Sequence, residues 1–282
     1  MNGGEPRFSP FSADVCPIFG VTLLKIFEYT VSVGESLMEH PFSIEAPGGY
    51  KLFGVYHEGA PSARYAVVQV HGLGGDMGSF SQLTMARFFA SRGIPVFRFN
   101  QYTDLAGGRQ FHQTTISGHV EDTRLVMDYA VGMGFKEIVL IGHSLGAAVV
   151  ITAADARTNG LILWDPAGAP AERIVDWETR DERLNLAYLD WRTRVILGED
   201  WISDAKRFPD PFKRLGTLDM PVAIIAADDG GLIAQCERFR AAARPSAHYV
   251  TLKGCGHTFL EQGAIEQLQA SSLGWLQSEI GA

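Results

Sequence analysis

The chain has 282 residues, 46% hydrophobic and 20% charged, with a formal net charge of −8. This length and apolar content suit one large α/β domain, with or without an insertion, and exclude gross disorder. The acidic balance, with no basic block, argues against nucleic acid or an anionic membrane surface as partner.

Residues 1–40 are expected to form an N-terminal extension packing on the core. Glu5 and the polar stretch before Val15 do not make an export signal. The segment "VCPIFGVTLLKIF", interrupted by Pro17 and Lys25, is shorter than a membrane span, so no stable membrane insertion is expected. "HPFSIEAPGGYKLFGVYHEG" then gives two β-rich runs around Pro47-Gly48-Gly49, a hairpin signal. "RYAVVQVHG" is a nearly continuous apolar run ending at glycine, as in a buried strand. "SFSQLTMARFFASRG" has helical spacing and stops at Gly93. "IPVFRFN" predicts a strand, "ISGHVEDTRLVMDYAVGMG" a helix and "EIVLIG" a strand. "AAVVITAADAR" predicts a helix and "GLILWDP" a strand. "MPVAIIAADD" and "AHYVTLKG" follow as strands, and "AIEQLQASSLGWLQSEI" as a closing helix.

Strands alternating with helices, several strands apolar throughout, predict a mostly parallel sheet covered on both faces. The alternation lapses over residues 169–218. That stretch carries Trp177, Trp191, Trp201 and many charges, and is expected to be a helical cap over the C-terminal edge of the sheet, where open α/β sheets bind ligands. Residues 41–168 and 219–282 are then the two parts of the core. The three aromatic residues either line a pocket or form the mini-core of the cap. The three cysteines, Cys16, Cys236 and Cys255, show neither metal spacing nor a disulfide framework. They favour a reducing, cytoplasmic setting.

"GHSLG", from Gly142 to Gly146, stands where an apolar strand turns into a helix. Glycines there remove Cβ atoms that would collide as helix and strand approach, and the turn pushes the Ser144 hydroxyl outward. The helix start offers a free N–H at Leu145 and a positive dipole end. A serine hydroxyl needs a base to become a nucleophile. His257, in the loop "GCGHTF" between the last strand and the last helix, lies at the same sheet edge. His143 is too constrained inside the elbow, and His71 is better read as structural. The imidazole needs an acid between Ser144 and His257 in the chain, at a strand end. Asp229 ranks first, Asp228 second, and Asp165, closing the preceding strand, third. For the oxyanion, the Leu145 N–H is one donor and Leu73, in the loop "HGLGGDMGS", the other, with Gly74 as neighbour. That loop lacks both the P-loop lysine and the dinucleotide register.

With these residues in place, the chain resembles the α/β-hydrolase superfamily from about Pro41 to Ala282. "HGLGG", "GHSLG", "AADDG" and "GCGHTF" occur in the family order. The resemblance implies an α/β-hydrolase fold: a mostly parallel eight-stranded sheet with helices on both faces and a small helical cap. It implies Ser144 as nucleophile, His257 as base, and Leu73 with Leu145 as oxyanion hole. The family's G-x-x-D pattern aligns with Ala226-Ala227-Asp228-Asp229 and favours Asp229. The segment from Val96 to Ala130 is similar to carboxylesterases of the cinnamoyl/feruloyl-esterase and monoacylglycerol-lipase-like groups. The expected function is therefore a carboxylesterase-type serine hydrolase acting on a small-molecule ester without metal or organic cofactor. Alternatives with the same triad are a thioesterase, an amidase or a C–C bond hydrolase. A non-catalytic ligand-binding protein of the same fold is the alternative from another class.

Overall fold

The computed structural model describes residues 38–183, 186–191, 193–243 and 247–281. The expected N-terminal extension lies almost wholly outside them. The chain enters as an antiparallel hairpin, β1 (Glu39–Glu45) and β2 (Lys51–His57). Its turn needs Gly49, whose φ of 76° suits glycine. β3 (Tyr65–Val70) is buried at every residue. α1 (Phe80–Ala90), β4 (Val96–Phe99) and α2 (Ile116–Gly132) follow. The Thr115 hydroxyl caps α2 by accepting from the Gly118 N–H. Then come β5 (Glu137–His143), α3 (Leu145–Ala153) and β6 (Thr158–Trp164).

The stretch after β6 departs from the expected all-helical insert. It contains α4 (Pro170–Trp177), three short strands, and helices α5 (Glu199–Arg207) and α6 (Pro211–Leu215). The strands β7 (Glu178–Asp181), β8 (Leu186–Trp191) and β9 (Thr193–Leu197) form a separate antiparallel sheet. "LAYLDW" and "TRVIL" are rich in aromatic and β-branched residues, a strand composition masked by the many charges around them. α5 is stabilised by Glu199 and Asp200 in its first turn and Lys206 and Arg207 in its last. Trp201 is fully buried, its ring 5.7 Å from that of Phe111, so it packs as core. The chain then returns through β10 (Val222–Ala227), α7 (Ile233–Ala242), β11 (His248–Leu252) and α8 (Ala264–Trp275). α7 escapes the sequence reading because "IAQCERFRAA" carries a weak apolar stripe.

The main sheet has eight strands in the order β1-β2-β4-β3-β5-β6-β10-β11. β2 pairs antiparallel with β4, and the strands from β4 to β11 run parallel. Alternate residues of each inner strand feed opposite layers. Val68, Val70, Leu140 and Ile224 pack with Met127, Val149 and Phe239 from α2, α3 and α7. Val67, Ile141, Ile162 and Ile225 pack with Met85, Phe89 and Leu268 from α1 and α8. This is the α/β-hydrolase arrangement. The C-terminal ends of β3, β5, β6 and β10, and the loop after β11, therefore meet at one edge. Among the described residues no helix is long and apolar enough to cross a membrane.

Candidate active site

Ser144 joins β5 to α3 with φ 55° and ψ −122°, a conformation that non-glycine residues avoid. Such strain persists only where surrounding structure fixes it. Here the Ser144 N–H donates to Trp164 O at 3.0 Å, and Ser144 O accepts from the Ala167 N–H at 3.1 Å. The glycines of "GHSLG" are needed for close approach. A Cβ on Gly142 would lie 2.5 Å from Gly146 O, and one on Gly146 would lie 2.5 Å from Val70 O. One on Gly72 would lie 2.8 Å from Ser144 Cβ. The elbow, the start of α3 and the loop after β3 thus fit only without these side chains.

That loop is pinned from β4. The Gln101 side chain donates to His71 O at 2.7 Å, and the Asn100 side chain accepts from the Met77 N–H at 2.8 Å. Arg98 donates to Met77 O at 2.8 Å. His71 Nδ1–H donates to Gly72 O, and its Nε2 accepts from the Gln101 N–H, so the ring is a neutral strut. Burial holds its pKa down at about 4. The sequence reading of His71 as structural agrees with this. It did not find Arg98, Asn100 or Gln101, although their position at the end of a strand beside the glycine-rich loop was a usable signal.

Ser144 and His257 line one cleft of about 350 Å³, together with Leu73 and Gly74. The His257 side chain is 10% exposed, and its Nδ1–H donates to Asp165 Oδ2 at 2.6 Å. Asp165 is fully buried and directly follows β6. Its other oxygen accepts from the Ala227 N–H at 3.1 Å and faces the Cys236 thiol at 3.5 Å. A Cβ on Gly230 would lie 2.4 Å from Asp165 Oδ2, so that glycine makes room for the carboxylate.

Of the three candidate acids, the one bonded to the His257 ring is Asp165, which ranked third. Asp229, the first choice, is exposed, and its backbone N–H donates to Cys255 O at 3.0 Å. Asp228 accepts from the Cys255 N–H at 3.1 Å and lies 3.8 Å from Lys253 Nζ. Both brace the loop that carries His257. The reason lies in the strand ends. Trp164 of β6 is level with Ile225 of β10, so β10 runs on through Ala226 and Ala227 before its acids begin. Asp165 therefore sits deeper, beside the imidazole. The signals for it were the Asp-Pro that ends an apolar strand and the small Gly230.

His143, set aside as a base, has a different place. Its Nε2–H donates to the His257 carbonyl at 2.7 Å, and the two rings lie 4.8 Å apart. Burial, with His257 adding to it, holds its pKa down at about 3, so the donor is a neutral imidazole. At the other side of Ser144, the first turn of α3 leaves the Leu145 N–H without an intrahelical acceptor. Of the three tryptophans considered as pocket wall, Trp201 is packed away. The side chains of Trp177 and Trp191 lie outside the described residues.

A parallel-sheet edge that gathers a strained serine, a buried His–Asp pair and a glycine-rich loop defines a hydrolase-type scaffold. The sequence profile of the alpha/beta hydrolase family matches residues 67–267, and the chain belongs to that family. Among solved structures it is similar to Est1E from Butyrivibrio proteoclasticus, with TM-score 0.71 and 18% identity, over 86% of this chain and 99% of that one. It is similar to the esterase domain of a Rhodothermus marinus protein, with TM-score 0.68 and 18% identity, over 87% and 100%. A dienelactone hydrolase from Anabaena variabilis gives TM-score 0.62 and 16% identity, over 86% and 98%. At these identities the likenesses establish the shared fold. No curated protein sequence matches the chain.

Proposed function

We propose that this chain is a serine hydrolase that cleaves small-molecule carboxylic esters. The observation that carries the proposal is the Ser144 elbow facing the same cleft as a histidine whose Nδ1 is bonded to a buried aspartate. Asp165 fixes the His257 tautomer with hydrogen on Nδ1, which makes Nε2 the basic nitrogen of the ring, and it stabilises the imidazolium that results. Ser144 Oγ attacks the ester carbonyl as His257 Nε2 takes its proton. The carbonyl oxygen becomes an oxyanion, held by the N–H groups of Leu73 and Leu145. His257 returns the proton to the leaving alcohol as the acyl-enzyme forms, and water repeats the sequence to release the acid. One neighbour of the fold is an esterase domain and another, Est1E, is solved with ferulic acid bound, which supports ester chemistry on this scaffold. Residues 169–218 serve as the cap beside the site. The free thiols of Cys236 and Cys255 support work in a reducing compartment, the cytoplasm.

The test is turnover of activated esters spanning acyl chain length and aromatic acids, with Ser144→Ala as blank. Ser144→Ala should lose on the order of 10⁶-fold in kcat. It should also lose labelling by a fluorophosphonate. An alanine variant that kept a few per cent of activity would overturn the serine mechanism.

A further inference from the structure

One buried nucleophilic group touches the acid–base pair without a part in the proposed chemistry. Cys236, on α7, is fully buried, and its Sγ lies 3.5 Å from Asp165 Oδ1. Cys236 and Phe239 are the buried residues of α7, so the face that packs against the sheet also brings the thiol to the acid. Asp165 has left water entirely, and an ionised carboxylate offers about four lone-pair sites. Among the described residues three hydrogens reach them. The His257 ring serves Oδ2, and the Ala227 N–H and the Cys236 thiol serve Oδ1. The thiol is the donor in this contact. Burial, with the charge of Asp165 adding to it, pushes its pKa well up, so it keeps its hydrogen. An ionised carboxylate can only accept.

We infer that Cys236 is a positioning residue for the triad acid: its S–H donates to Asp165 Oδ1, holds the carboxylate toward the His257 ring and tempers its pull on the His257 proton. This rests on the hydrolase reading above and adds a residue to that same site. A hydrogen bond to the charged form of an acid favours that form and weakens its hold on other protons. Shared among a thiol, an amide and an imidazole, the carboxylate orients His257 yet lets the ring hand its proton to the leaving alcohol. Other titratable groups surround the pair. His143 faces the His257 ring from β5 at 4.8 Å. Asp228, beside Lys253, and Glu261 accept from N–H groups of the loop that carries His257, and the Asp229 N–H donates to it. None of these changes when Cys236 alone is replaced.

Two measurements test this without turnover. In Cys16→Ser/Cys255→Ser, Cys236 is the one thiol of the chain. Its infrared S–H stretch should lie below that of a free thiol, and should rise when Asp165→Asn makes the acceptor neutral. A stretch at the free-thiol position, or one unmoved by Asp165→Asn, would overturn the contact. The His257 ring is then titrated by NMR in the native chain, Cys236→Ala and Cys236→Ser. Losing the donor in Cys236→Ala should raise the midpoint by about 0.5. Cys236→Ser, which restores an O–H, should bring it back toward the native value. On an activated ester, kcat should fall about fivefold in Cys236→Ala with KM held, and recover in Cys236→Ser. A thiol that only fills space would leave the titration where it is. The same midpoint in all three chains, or Cys236→Ser titrating with Cys236→Ala, would therefore overturn the positioning role. If Cys236→Ala does not fold, the infrared measurement, made with Cys236 in place, decides. The expected stretch and midpoints with no ester turnover by the native chain would keep the thiol's hold on the acid and sink the hydrolase reading instead.

Discussion

At the scale of single residues, the site depends on which carboxylate reaches His257. Asp165→Asn keeps the shape and removes the charge, and an amide at that position favours the wrong imidazole tautomer. We expect about a 10⁴-fold loss in kcat. Asp229→Asn should stay near the native rate, because its side chain is exposed. Steady-state kinetics on one activated ester decides between them, and a large loss at Asp229 alone would return the acid to β10. His143 is a positioning residue in this scheme. His143→Phe keeps a ring but deletes the donor to the His257 carbonyl, so kcat should fall by ten- to a hundredfold, as small misplacements of a base do, while KM holds. His143→Gln, which restores an N–H donor, should recover part of the loss. Equal falls in both variants, with KM rising, would mean that the ring matters only for packing.

At the scale of elements, the elbow was legible because its motif, from Gly142 to Gly146, is contiguous in sequence. A Cβ at Gly142 or Gly146 meets main-chain atoms rather than adaptable side chains. Gly146→Ala should therefore cost about 1–3 kcal/mol, as overpacking does, and disturb the start of α3. Gly274, inside α8, has nothing within 4 Å of its would-be Cβ. Gly274→Ala should accordingly stabilise the chain by about 0.5–1 kcal/mol. Urea unfolding midpoints of the two variants should move in opposite directions, and a shift of the same sign in both would contradict the packing account. The acid was not legible for the opposite reason. Asp165 and Asp229 both follow strands on one edge, and only the relative reach of β6 and β10 separates them. That reach is a property of strand pairing across the fold. The small sheet of β7, β8 and β9 stayed hidden because its strands are short and set in a stretch rich in charges, so periodicity gave little contrast. The succession of inner strands showed plainly, since β3, β4, β5, β6 and β10 are buried on both faces almost throughout.

At the scale of the whole molecule, the distribution of histidines sets the response to acid. Burial holds His57 and His71 at about 4 and His143 at about 3, and His119 well below its ordinary value. The Nε2 of His57 accepts from Arg98 at 2.6 Å, which also requires a neutral ring. Unfolded, these rings would titrate near 6.5, so below that pH the unfolded chain binds protons that the native one refuses. Stability is thus present above about pH 6.5 and lost as pH falls toward 4. Asp122 works the other way. Burial pushes its carboxyl up to about 6 despite Arg109, so the native form binds one proton more between about 4 and 6. The histidines outnumber it, and the net loss should be a few kcal/mol per pH unit near pH 5. Unfolding there should take up protons. Calorimetric melts between pH 5 and 7 in buffers of differing ionisation heat measure this, and a melting temperature that rose on acidification would contradict it.

The histidine's contacts also have a consequence for how activity arises as the chain folds. His257 meets Asp165 across 92 positions of sequence, and meets His143 across 114. The serine elbow is closed across shorter separations, by Trp164 and Ala167 on one side and by Val70 and Gly72 of the β3 end on the other. Contacts so distant in sequence are costly to form early. A refolding chain could thus hold a finished elbow while its C-terminal strand and helix are still undocked, and it would carry a serine with no base. Under the proposed mechanism, ester turnover then becomes a clock for the last event of folding: with Trp164 and Trp275, which pack at α8, replaced by phenylalanine, fluorescence from Trp201 in the opposite layer should recover before the first ester is cleaved.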